Sequence, residues 1–73
     1  MFLVSNSTLF NFDKIEFVRI NENAITIGLA NRNYLLKYGN EDLAKKAYSK
    51  IRVAIAKNSS VVDISENKIQ EAI

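Results

Sequence analysis

Asparagine cuts the first forty residues of this chain into pieces of strand length. Clusters fall at Asn6-Ser7, Asn21-Glu22-Asn23, Asn31-Arg32-Asn33 and Gly39-Asn40, and a further one follows at Asn58-Ser59-Ser60. The chain has no proline and only two glycines, Gly28 and Gly39, so asparagine supplies the turns. Its side chain bonds to its own turn and tolerates left-handed backbone. Strands joined by links this short pair antiparallel, because a parallel crossover needs roughly a dozen residues or more. Residues 2–5 and 8–12 read as a short hairpin. Phe12-Asp13-Lys14-Ile15 reads as a turn or bulge. Residues 16–20, 24–30 and 33–38 read as a meander, with Ile25, Ile27 and Leu29 alternating against Ala24, Thr26 and Gly28.

The pattern changes at Asn40. Leu43, Ala44, Ala47, Tyr48, Ile51, Ala54 and Ile55 recur at helical spacing. Asn40 is a good N-cap, and Glu41 and Asp42 sit in the first turn, where the helix dipole favours negative charge. Lys57 and Asn58 close the segment with a cation and a residue tolerant of left-handed backbone. The apolar stripe needs a floor, and Val18, Ile20, Ile25, Ile27, Leu29, Tyr34, Leu36 and Tyr38 provide one. The expected fold is α+β: a small antiparallel meander of four to five strands packed on one amphipathic helix.

Beyond the helix, Val61-Val62-Asp63-Ile64 reads as a strand or extended arm. The C-terminal segment is expected as a short arm or a short helix; as a helix it would be capped by Ser65 and run over residues 66–73, with Ile69, Ala72 and Ile73 as its apolar stripe. The chain thus divides into a domain over residues 1–58 and an arm over residues 59–73. Gly28 marks a close backbone approach or a bulge within its strand. Gly39 helps the chain turn into the helix.

The segments "NFDKIEFVRINENAITIGL", "YLLKY" and "EDLAKKAYSKI", within residues 11–55, resemble short bacterial and phage proteins in which a β-meander precedes one amphipathic helix. That resemblance implies the α+β fold and brings no activity with it.

Little here speaks for catalysis. The chain has no histidine and no cysteine, so its serines have no imidazole to activate them, and the commonest zinc ligands are missing. Glu41 and Asp42 are accounted for by the helix N-terminus, and neither glycine belongs to a phosphate-binding loop. No cofactor, metal or small-molecule substrate is expected. No stretch approaches the ~20 apolar residues of a membrane span, and a cytoplasmic location is expected.

Charge is the feature that stands out. The net charge is +2, yet residues 40–58 carry five basic and two acidic side chains, whereas residues 59–73 carry one basic and three acidic. Lys45, Lys46, Lys50, Arg52 and Lys57 form a basic helix face able to contact phosphates without reading bases. On the sheet, Phe17 and Leu35 interrupt an otherwise polar outer face. Together with Ile69 and Ile73 they form a candidate interaction surface. The expected function is a small non-catalytic interaction or regulatory module, of phage or mobile-element origin, acting as a homodimer or bound to another protein. The dimer would use the Phe17 and Leu35 face or an exchanged arm. The alternative is a weak, non-specific nucleic-acid-binding module that uses the basic helix face.

Overall fold

The computed structural model describes residues 1–72, and the side chains of residues 1–69. Its strands are β1 (Phe2–Ser5), β2 (Thr8–Asn11), β3 (Phe17–Asn21), β4 (Ala24–Gly28), β5 (Asn33–Lys37), β6 (Val61–Asp63) and β7 (Lys68–Ala72). The helix α1 (Glu41–Lys57) lies between β5 and β6, and a short 3-10 turn over Phe12–Lys14 separates β2 from β3. The class is α+β, as expected, but the strands form two sheets rather than one meander. The first has the order β2-β1-β6, and the second has the order β3-β4-β5-β7. All pairs are antiparallel except β1 with β6, which is parallel and places Phe2 beside Val61 and Val4 beside Asp63. The long path from β1 to β6, through the whole meander and the helix, satisfies the crossover that a parallel pair requires.

Local chemistry explains the elements. The Asn40 side chain accepts the Leu43 N–H at 2.9 Å, and Asn58 ends the helix in left-handed backbone at φ 56° and ψ 44°, its N–H donating to the Ala54 and Ile55 carbonyls. Asn6 opens the first hairpin turn at φ 54°. In the β3–β4 turn the left-handed residue is Glu22, also at φ 54°, rather than either flanking asparagine. Asn23 has another task there. Its side chain donates to the Tyr38 carbonyl at 3.0 Å, and its own carbonyl accepts the Tyr38 N–H at 2.8 Å, so the turn is tied to the end of β5.

The core lies between both sheets and the helix. Leu3 and Phe10 enter it from the first sheet, Ile25, Ile27 and Leu36 from the second, and Ala44, Ala47 and Ile51 from α1. Phe10 meets Tyr34 edge-on, with ring centroids 5.5 Å apart. Three alanines on the buried helix face, Ala44, Ala47 and Ala54, let α1 sit close to its floor. The buried stripe is narrower than the sequence suggests, for Leu43 and Ile55 are exposed at its margins. The sheets beneath are too small to reach under both flanks of a helix this long.

The arm is the main departure. The short helix expected over residues 66–73 does not form. Ser65 Oγ accepts the Asn6 N–H at 2.9 Å instead of capping a helix, and Glu66 turns the chain at φ 71°. Lys68–Ala72 then pairs with β5, with Ile69 opposite Leu36. A helix of about eight residues is marginal on its own, whereas β5 offers a ready row of backbone partners. Both arm strands pair within their own chain. Ile64, at the end of β6, is buried, and its carbonyl accepts the Tyr38 hydroxyl at 2.7 Å and the Asn67 side-chain amide at 2.8 Å.

Burial pushes the Tyr38 phenol up from its usual 10.0 to about 12; the Asn67 hydrogen bond offsets part of this, and the Asp63 charge adds to it. The raised value gives a sign. The neutral phenol is favoured in the fold, so its contribution is complete below pH ~10 and is lost as pH climbs from there through about 12. Ultraviolet titration of the three tyrosines should therefore show one ionising about two units late and together with unfolding. Tyr38→Phe should abolish that late step.

Candidate interaction surface

The four apolar residues singled out from the sequence divide. Phe17 and Leu35 share the outer face of the second sheet with Arg19, Thr26 and Lys37, as the register requires, and both are half-buried. The Phe17 ring lies directly against Gly28, where a β-carbon would collide with it. The Arg19 guanidinium stacks over the other part of the ring, 4.9 Å from its centroid. Phe17 is therefore already partly covered, and the close approach expected at Gly28 is to this ring. Ile69 is half-buried and packs on the core, so it covers the domain's own interior. Ile73 lies outside the described residues.

The larger exposed apolar surface lies elsewhere. On the first sheet, Leu3, Phe10 and Ser5 face inward, so Phe2, Val4 and Leu9 face outward. The β1–β6 register adds Val61 beside Phe2. Leu9 is 65 % exposed, Val61 57 % and Phe2 44 %. Nothing among the described residues covers this face. The pairing of Val4 with Leu9 follows from the two-residue turn at Asn6-Ser7 and was accessible from the sequence. The addition of Val61 was not, since no local pattern announces that residue 61 returns to residue 2.

The basic residues are also unequal. Lys45 pairs with Glu41 at 3.2 Å, one turn away along the exposed side of α1. Lys46, Lys50 and Lys57 have no carboxylate within ion-pair distance among the described residues. They follow one stripe of the helix, and Arg52 points away from it, because residues two apart lie on opposite sides. The stripe borders an open groove of about 820 Å³ between α1 and β6. Val53, Ala54, Val61 and Val62 supply its apolar lining, and its charged lining is Lys45, Lys46, Lys50 and Lys57 with one carboxylate, Asp42, at the start of α1. Val53, 50 % exposed, is the residue that interrupts the lysine stripe. Asp63 follows Val62 at the end of β6. Hydrogen bonds from the Ser65 side chain and then its backbone N–H hold the Asp63 carboxyl below the usual range, with a smaller contribution from the Lys50 charge.

Among the described residues no group of three or more metal-ligating side chains comes together, and no helix is long and apolar enough to cross a membrane. Comparison with protein-family models, with curated proteins and with solved structures gives no match for this chain.

The Phe17–Gly28 contact can be checked by a double-mutant cycle. Gly28→Ala should cost about 1–3 kcal/mol in chemical denaturation, by overpacking against the ring. In a Phe17→Ala background the same change should cost far less, leaving a coupling of about 1 kcal/mol or more. Additive losses would mean that the ring does not rest on Gly28 in solution.

Proposed function

We propose that this chain is a small non-catalytic interaction module that pairs with a second copy of itself, or with another protein, through the outer face of its first sheet. The observation behind this reading is the exposed trio of Phe2, Leu9 and Val61 about the half-buried Val4, a face that Asn11 and Asp63 share by register. Contiguous apolar patches are uncommon on monomers and commonly serve as interfaces. A second copy laid face to face, about 10 Å sheet to sheet, would bury the same residues on both sides, which is the arrangement of a closed two-fold dimer. Arm exchange is the less favoured route, since β6 and β7 already pair with β1 and β5 of their own chain. A cytoplasmic location is part of the same proposal.

Sedimentation velocity at micromolar concentration is the test. The expected result is a dimer that Leu9→Glu converts to a monomer without change in circular dichroism. Leu9 is an exposed position, so the fold tolerates the charge. A wild-type monomer throughout that range, or a dimer indifferent to Leu9→Glu, would remove the sheet-face interface.

The lysine stripe supports a second reading, nucleic-acid binding. The three lysines of this stripe, which have no carboxylate within ion-pair distance among the described residues, offer about three phosphate contacts, so the slope of log affinity against log salt on a duplex should not exceed about −3. Lys46→Glu combined with Lys50→Glu should abolish such binding with the fold intact. Tight binding that persists at high salt would call for contacts beyond this stripe.

A further inference from the structure

The groove between α1 and β6 joins three things that rarely coincide without use: an open strand edge, an apolar lining and a basic rim. β6 ends its sheet, and no strand among the described residues lies beyond it. In the parallel ladder, Ser60 accepts from the Phe2 N–H and Ile64 donates to the Val4 carbonyl, at 2.9 and 2.8 Å. Residues 60, 62 and 64 therefore turn their backbone groups toward β1. Val61 and Asp63, between them, turn theirs outward, toward any chain laid alongside. The helix wall of the groove carries Val53 and Ala54 at the level of Val61 and Val62. From Asp42 to Lys57 this wall runs about 22 Å at 1.5 Å per residue, which matches roughly six or seven residues of extended peptide.

We infer that this groove binds an extended acidic peptide of a partner protein, which adds as a strand to the outer edge of β6 and seats alternate apolar side chains against Val53, Ala54 and Val62. The inference rests on the reading of the protein as an interaction module and names a second surface and its partner chemistry. Strand addition supplies main-chain hydrogen bonds through Val61 and Asp63, and the alternation of a strand sends every second side chain into the groove. Lys46, Lys50 and Lys57 along the rim select carboxylates on the peptide and raise its rate of encounter. A nucleic acid meets the same lysines less well. Its backbone has no N–H for the outward carbonyls of β6, and its phosphates gain nothing from a valine-lined wall.

The test uses the full chain carrying Leu9→Glu, so that self-association through the first sheet does not enter. Fluorescence anisotropy is read with a labelled octapeptide of alternating Val and Glu. Saturable binding is expected, with nuclear magnetic resonance shifts confined to residues 42–57 and 59–63. Val53→Glu should weaken binding about tenfold or more, as should Lys46→Glu with Lys50→Glu, and a peptide of alternating Val and Lys should bind about tenfold more weakly. The Val–Glu peptide with its alternate backbone nitrogens methylated should lose binding, because a methylated nitrogen cannot donate to β6. No saturable binding, indifference to methylation, shifts centred on another surface, or displacement of the peptide by a tighter-binding oligothymidylate would each overturn the inference. Peptide binding by a chain whose wild type never dimerises would leave this groove standing and remove only the sheet-face dimer. A dimer without peptide binding would do the reverse.

Discussion

A single buried hydroxyl organises the meeting of three parts of the chain. Tyr38 ends the meander, and its phenol donates to the carbonyl of Ile64 at the end of β6. Asn67, at the entry to β7, donates to that same carbonyl and, at 3.2 Å, to the phenol oxygen, and it accepts the Ser5 hydroxyl from the end of β1 at 2.8 Å. Ser5 is fully buried and Tyr38 nearly so, so neither can turn to water for a substitute. A buried polar group left without its partner costs about 1–3 kcal/mol, which makes the arrangement close to all-or-none. Among the described residues no buried side-chain nitrogen or oxygen lacks a partner. The network therefore fixes where the arm must lie, and with it the division into two sheets.

The surfaces follow from that placement. By lying beside β1, β6 extends an outward face that already held Phe2, Val4 and Leu9, and it raises the far wall of the groove along α1. The charges are disposed consistently with this. The acidic end of α1 is met by its own dipole and by Lys45, whereas Lys46, Lys50 and Lys57 have no carboxylate within ion-pair distance among the described residues, although the Lys50 charge still reaches Asp63. On the second sheet, the Phe17 ring covers Gly28, Arg19 lies over that ring, and β7 pairs with the edge of β5.

What could be read from the sequence was what is local. The helix and both its caps follow from Asn40, the 3.6-residue spacing and Asn58, because every interaction involved lies within a few residues. The meander follows from short links and alternation. Gly28 was legible as a close approach, although its neighbour Phe17 became known only from the register. The errors arose where distant partners decide. Residues 66–73 have a helical spacing of Ile69 and Ala72, but the free edge of β5 outweighs the weak preference of so short a segment. Glu22 takes a left-handed backbone that its flanking asparagines seemed to claim, since Asn23 is committed to Tyr38. The candidate groove was half legible. Its lysines stood out, but its second wall comes from β6, whose neighbour is β1.

That neighbour also makes one of the long-range closures of the chain. Phe2 and Val61 are fifty-nine positions apart (61 minus 2) and stand side by side, whereas the hairpins and the helix close over short loops. Long closures are slower to form and are reached after local ones. Sequence separation alone therefore ranks the meander and helix ahead of the pairings of β6 and β7. Loss of the β1–β6 pairing would remove the far wall of the groove and take Val61 from the apolar face in the same event. The proposed groove and the docking of β6 thus stand or fall together.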